Sequence, residues 1–306
     1  MNENVNLVFA SAAIARRNKR YIVWFYLLNL VFAHFGASAF SDAAHNILDH
    51  SLYADKLLHG FNLGVFTELL TRPEFGAMPS ATHPAIMFAV VFFLASLVFM
   101  PGVLLGYASD HRLPRDEFFR ACGRNVWRFV RLFLFFAIIA GIVAGVLFGG
   151  LNALVTAADK TSNERLPFFT QLVGTVIILL LLTIIRIWFD LAQTEVVLRD
   201  QPAVRKAIAA GFRRTRRNLG RLLGSYVVIA IVALAILVAG ILLWYAIVPP
   251  ASVLGAFIVG QAMMLLLLAM RFWQRATAVA FYVREMNQPV VEDVRAIPTF
   301  AASMAP

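Results

Sequence analysis

Long apolar runs alternate with short, strongly basic segments along this chain, and that alternation sets the reading. Residues 21–40, 84–108, 130–155, 168–187, 222–248 and 253–270 form six hydrophobic blocks that are nearly free of charge at their centres. Each has about the 20 residues that cross roughly 30 Å of hydrocarbon at 1.5 Å per residue. The pattern predicts an all-α membrane protein of six transmembrane helices. Pro249-Pro250 stands between the last two blocks and predicts a tight turn, because neither residue can continue a helix. Pro, Gly and Ser do not cluster into a linker, so residues 1–306 read as a single integral membrane domain.

The polar segments between blocks carry a pattern of their own. From 116 to 131, Phe119, Cys122, Val126, Phe129 and Val130 fall on one helical face and Arg120, Arg124, Arg128 and Arg131 on the other. Pro114 is placed to open this helix. From 200 to 219 the design recurs, with Asp200 as the expected N-cap and Pro202 in the first turn. There Val204, Ile208, Phe212 and Leu219 share one side, while Arg205, Lys206, Arg213, Arg216 and Arg217 spread over another. An apolar face opposite a basic one describes a helix lying in the headgroup plane. Arg120, Arg124, Arg128, Arg213, Arg214, Arg216 and Arg217 are therefore the candidates for contact with lipid headgroups or a partner.

The two segments belong to an internal repeat. A shift of 90 residues sets Asp110 on Asp200, Arg115 on Arg205, Arg124 on Arg214 and Arg131-Leu132 on Arg221-Leu222. A shift of 85 sets Arg186-Ile187-Trp188 on Arg271-Phe272-Trp273 and Arg199-Asp200 on Arg284-Glu285. The unit is a span, a basic amphipathic helix and the next span. Copies run in the same direction, so the repeat is parallel and not inverted.

Composition agrees with lipid as the solvent. The chain is 60% hydrophobic and 14% charged with a mean hydropathy of +0.76, against roughly 45–50% and about 25% for soluble domains. The pI near 10.3 could suggest nucleic-acid binding. However, all but four of the 27 Lys and Arg lie in the N-terminal segment, alternate loops and the C-terminal part. Only Lys56, Arg72, Lys160 and Arg165 lie in the opposite loops. That bias is the positive-inside rule, which places both termini in the cytoplasm of a bacterial inner membrane. The charge thus reports topology, and no nucleic-acid module accompanies it. The basic run 16–20, the apolar stretch from 21 and Ala37-Ser38-Ala39 could be read as a signal peptide. The stretch is long for that role, and a retained first helix is expected.

Residues 194–224 carry an acidic turn at Asp200, an alanine-rich run and an Arg-rich helix leading into the fifth span. In this they resemble poorly characterised bacterial six-helix integral membrane families related to the membrane domain of glycerophosphoryl diester phosphodiesterases. Gly211 stands where those families usually carry serine. Their phosphodiesterase activity resides in a separate barrel domain that this sequence lacks, so the resemblance implies architecture and no activity.

Three places could carry chemistry. An outer loop holds His45, Asp49, His50, Asp55 and His59, with i,i+4 pairs that could converge on a metal, although the spacing matches no metal motif. The expectation there is no bound metal and an amphipathic helical cap on the outer face. Arg186, Asp190 and Arg271 sit near the inner ends of two spans, where Asp190 could pair with Arg186 or bridge to Arg271. Gly141, Gly145 and Gly149 step at intervals of four along the third span and suggest a close helix contact. No P-loop, nucleophile elbow, zinc-protease or dinucleotide fingerprint occurs, and no cofactor is implied. The expected function is a non-enzymatic membrane scaffold or accessory subunit engaging anionic lipids or a membrane partner. The alternative is a permease for a lipid or small solute, and third an enzyme with an outer-face His/Asp site.

Overall fold

The computed structural model describes residues 3–48, 64, 67, 78–161, 163, 165–249 and 252–287. These form eight helices and no strand: α1 (Glu3–Arg17), α2 (Lys19–Leu48), α3 (Met78–Ala108), α4 (Arg115–Ala158), α5 (Arg165–Leu198), α6 (Val204–Arg217), α7 (Leu219–Ile247) and α8 (Val253–Asn287). Six of them, α2, α3, α4, α5, α7 and α8, are long and apolar enough to cross a membrane. The helices overrun the apolar blocks. α4 joins the basic segment and the third span into one rod, and α8 continues well past residue 270. Lipid demands that every backbone N–H and C=O be paired within its own segment, and an unbroken helix does this. The expected outer cap lies outside the described residues.

The spans form two layers about a common centre. α3, α5 and α8 touch one another in the middle, and α2, α4 and α7 lie outside, packed against α3, α5 and α8 respectively. Large apolar side chains such as Ile142, Val146, Ile177 and Leu242 remain exposed along the spans. In water such a surface would drive association, but acyl chains solvate it as well as Leu does.

Each inner span carries an amphipathic helix at the basic end. The opening turns of α4 pack on α3 and α6 packs on α5, as the repeat predicts. A third pairing was not legible: α1, from the N-terminal segment, packs on α8. The match holds to the residue. Trp188 donates its indole N–H to the carbonyl of Ile208 at 2.7 Å. Trp273 donates to the carbonyl of Val8 at 3.1 Å and to Ser11 Oγ at 3.0 Å. The tryptophans are the 85-residue equivalents, and Val8 and Ile208 stand 10 residues before Asn18 and Asn218 respectively. The three copies also share a close contact at a small residue of the inner span. Gly102 faces Phe118 and Cys122, Ala192 faces Gly211, and Thr277 bonds Ser11 at 3.0 Å.

Asn18, Asn125 and Asn218 mark the same point in each copy, where the amphipathic segment turns into a span. In all three the side-chain Nδ2 donates to the carbonyl four residues earlier, at 3.1, 3.0 and 3.3 Å. Asn competes in this way with the backbone ladder, and the helix breaks at Asn18 and Asn218 while α4 runs through. The asparagines align the two inner copies at a shift of 93, so the 90-residue register read for the amphipathic helices is off by three. α3 and α5 keep the 90-residue shift, and the connections and first turns take up the difference.

Two expected faces are rotated. On α6 the buried residues are Val204, Ala207, Gly211 and Thr215, and Phe212 is half exposed against the edge of Trp188. On α4 Cys122, Asn125, Phe129 and Leu132 are buried, while Phe119 is exposed. Small side chains let two helix backbones approach, so they outrank bulk in choosing the contact. The glycine stripe is also corrected. A Cβ on Gly141, Gly145 or Gly149 would meet nothing within 4 Å, so among the described residues no helix packs there.

Candidate functional site

Among the described residues, the basic end of the bundle concentrates the polar chemistry. At the turn between α5 and α6, Asp200 takes a left-handed backbone (φ 50°), a conformation that Asp and Asn tolerate better than most residues. It does not cap α6. Ala203 occupies the N-cap without a side-chain hydrogen bond. The Asp200 carboxylate instead accepts from Arg124 and from Arg128, the latter at 2.7 Å. The Arg128 hydrogen bond, helped by both guanidinium charges and opposed by modest desolvation, holds this carboxyl below its ordinary range.

The sign of that shift gives a pH expectation. A depressed carboxyl stabilises the fold above the unfolded pKa, about 3.9, and the contribution is lost as pH falls through the lower folded value. Asp200→Asn should abolish this acid sensitivity while keeping the turn. Asp200→Gly should lose the tie but accept the backbone, and Asp200→Ala should lose both and melt lowest. Thermal unfolding in detergent between pH 3 and 7 measures the order.

The equivalent tie exists in the preceding copy. Arg17, equivalent to Arg124 by its place before Asn18, donates to the carbonyl of Ser109 at 2.7 Å and lies 3.7 Å from Asp110. Asp110 is in turn the equivalent of Asp200.

The third copy breaks the rule. Glu285 is the equivalent acid and Arg217 the equivalent base, but Glu285 is engaged by Arg214, whose Nε lies 2.9 Å from its Oε2. That approach is an ion pair without hydrogen-bond alignment. Arg214 also donates to Glu195, a carboxylate only 4% exposed that accepts from Tyr282 Oη at 2.7 Å and has Arg199 3.7 Å away. The Arg214 guanidinium sits 4.7 Å over the Tyr282 ring. Burial opposes the Arg214 charge, but the hydrogen bond and charge of Glu195, with Tyr282 and Glu285, outweigh it and raise its pKa further.

Beside this cluster opens a bowl of about 750 Å³, within the range of small-molecule sites. Its walls are α6 and the far ends of α5 and α8, and its lining includes Glu195, Arg199, Lys206, Arg213, Arg214, Arg216, Arg217 and Glu285. Glu195 lies about two turns beyond Trp188 on α5 and Arg199 just past the end of that helix, so the bowl opens on the side of α6 away from the apolar body.

The sequence candidates are thus divided. Arg213, Arg216 and Arg217 are exposed on the bowl, Arg214 is drawn inward, Arg124 and Arg128 bind Asp200, and Arg120 pairs with Asp116 at 3.7 Å. Deeper in, Arg186 Nε lies 3.8 Å from Asp190, which accepts a 2.8 Å hydrogen bond from Tyr226. Arg271 is exposed and does not join them. Arg275, one turn on, reaches Gln193 at 3.4 Å and lies within electrostatic range of Asp190. Sequence reasoning missed Glu195, Tyr226, Arg275, Tyr282 and Glu285. Two signals were available: Glu285 is the 85-residue equivalent of Asp200, and Arg275 lies four residues after Arg271, on the same helical face. Asp49, His50 and His59, and the side chain of His45, lie outside the described residues. Among those described, no three His, Cys, Asp or Glu are grouped to hold a metal ion.

Fold and site together define an all-α membrane protein with a strongly basic, helix-built layer at one end. Compared with models of protein families, with curated proteins and with solved structures, the chain matches none.

Proposed function

We propose that this chain is a non-enzymatic scaffold or accessory subunit of a bacterial inner membrane, with both termini cytoplasmic, whose basic layer engages anionic lipid headgroups or a membrane partner. The observation that carries this reading is the layer itself. Each copy contributes exposed cations at the same end of the bundle, among them Arg16 and Lys19, Arg115 and Arg205. Phe119 and Phe212, at 93-residue equivalent positions, are exposed beside them, as apolar anchors at a headgroup boundary would be. A permease would place polar groups along the spans at mid-depth. Here the spans are nearly free of charge at their centres and most of the described cations gather at one end, which favours the scaffold. The resemblance to the phosphodiesterase-associated membrane domain agrees with this reading in architecture.

Each exposed cation near an anionic surface contributes on the order of 1 kcal/mol. Replacing Arg16, Lys19, Arg115 and Arg205 with Gln should therefore lower the ratio of anionic to zwitterionic lipid that copurifies in mild detergent several-fold. None of these four lines the bowl. An unchanged lipid profile in a stably inserted variant would mean that the layer serves topology or a protein partner alone.

A further inference from the structure

The place where the repeat breaks its own rule is also the place where charge is left over. In two copies the arginine before the recurring asparagine is paired with the acid of the next connection, Arg17 with Asp110 and Arg124 with Asp200. In the third the acid, Glu285, is taken by Arg214. Arg214 and its buried partner Glu195 have no counterparts elsewhere. Their equivalents are Ile14 and Ala121, and Leu105 and Ala280. Among the described residues Arg214 pairs with both carboxylates that line the bowl, and Arg199 lies 3.7 Å from Glu195.

The consequence is an uncompensated wall. Lys206, Arg213, Arg216 and Arg217 line the bowl, are exposed, and make no ion pair among the described residues. Four like charges facing one cavity repel one another, and a structure that holds them together without counter-charge supplies a strong positive potential there. Guanidinium forks match the geometry of phosphate oxygens and bind them through paired hydrogen bonds. Among the described residues no aromatic side chain lines the bowl, so none of them offers a surface on which a nucleobase would stack. Ala209 and Ala210 keep the α6 side of the bowl shallow and open.

We propose that the bowl between α6 and the far ends of α5 and α8 is a binding site for a compact, phosphate-bearing polyanion, held by Lys206, Arg213, Arg216 and Arg217 over a floor fixed by Arg214 with Glu195 and Glu285. The phosphate can be that of a soluble polyphosphate or of a phosphomonoester lipid headgroup reaching up from the bilayer. The site is independent of the lipid-facing cations of the layer, because different residues form it.

The test uses the full chain in nanodiscs of phosphatidylcholine alone and in nanodiscs with added phosphatidic acid. Inorganic tripolyphosphate is titrated into each by calorimetry. Saturable binding of one equivalent is expected in phosphatidylcholine. Lys206→Gln/Arg213→Gln/Arg217→Gln should weaken it by about tenfold or more, whereas Arg16→Gln/Arg115→Gln/Arg205→Gln, removing equal charge outside the bowl, should change it by no more than about twofold. If the triple bowl variant is poorly folded, the exposed single substitution Arg217→Gln serves, with a loss of about threefold or more expected. Phosphatidic acid that weakens tripolyphosphate binding in the native chain, but does not lower the residual binding of the bowl variant, identifies the lipid headgroup as occupant. Binding unaffected by phosphatidic acid identifies a soluble one. Absence of saturable binding together with no bowl-dependent effect of phosphatidic acid overturns the proposal, as does equal loss in both triple variants. Polyglutamate binding more tightly than tripolyphosphate also overturns it, in favour of an acidic protein segment. The lipid profile of the Arg16, Lys19, Arg115 and Arg205 variant is a separate readout, so either proposal can fail alone.

Discussion

Arg214→Gln is expected to destabilise the protein by about 3–5 kcal/mol, the cost of leaving a buried ion without its partner. Glu195 is 4% exposed, and Arg214 is the cation that reaches it with a direct hydrogen bond. Without it Glu195 keeps the Tyr282 hydroxyl at 2.7 Å and Arg199 at 3.7 Å. Those two do not repay the desolvation of a carboxylate. Arg214→Lys should restore only part of the loss, because an ammonium cannot span Glu195 and Glu285 as a planar fork does. The double variant Glu195→Leu/Arg214→Leu should recover most of the stability, since an apolar pair of comparable volume often replaces a buried ion pair at no cost. Thermal unfolding of detergent-solubilised protein separates the three. A loss below about 1 kcal/mol for Arg214→Gln would show that the cluster behaves as a solvated surface pair.

The second large effect lies in α1. Leu7 is fully buried, clustered with Ile187 and Leu191 of α5, Leu222 and Tyr226 of α7, and Ala278, Ala280 and Phe281 of α8. Leu7→Ala should cost about 2–5 kcal/mol through lost contacts and the cavity left behind. Phe9→Ala is the control. Phe9 is 68% exposed on the same helix, and its truncation should stay within about 0.5 kcal/mol. Trp273→Phe should fall between, removing one indole donor from Val8 and Ser11 and leaving the Val8 carbonyl without it. A neutral Leu7→Ala would mean that α1 is a peripheral tail and not a packed third copy.

Both predictions turn on residues whose chemistry was visible and whose partners were not. Arg214 read as one of a row of exposed arginines, because a helical wheel places Arg213, Arg214, Arg216 and Arg217 in a broad basic arc. The rotation of α6 onto Ala207, Gly211 and Thr215 moves one edge of that arc inward, to Glu195. Asp200 read as a cap because Asp two residues before Pro202 ordinarily is one. Its carboxylate went to Arg124 and Arg128, in a helix about 70 residues earlier, through a contact that no local rule encodes.

What the sequence determined by itself was the membrane class, the six spans and the clustering of cations at one end. Those follow from one-dimensional requirements: about 20 apolar residues to cross hydrocarbon, no charge at mid-depth, and Lys and Arg retained on one side. The sequence also showed two copies of the repeat, because Trp188 and Trp273 and the acids Asp110, Asp200 and Glu285 recur at near-constant spacing. Only the tertiary structure decided that α1 completes a third copy, since its partner α8 lies at the other end of the chain and periodicity carries no information about distant partners. The helix faces were decided there too. Close backbone approach selects small side chains for the contact, so Gly211 is buried and Phe212 is left half exposed, and Arg214 is carried to Glu195 while Arg217 is left facing the bowl.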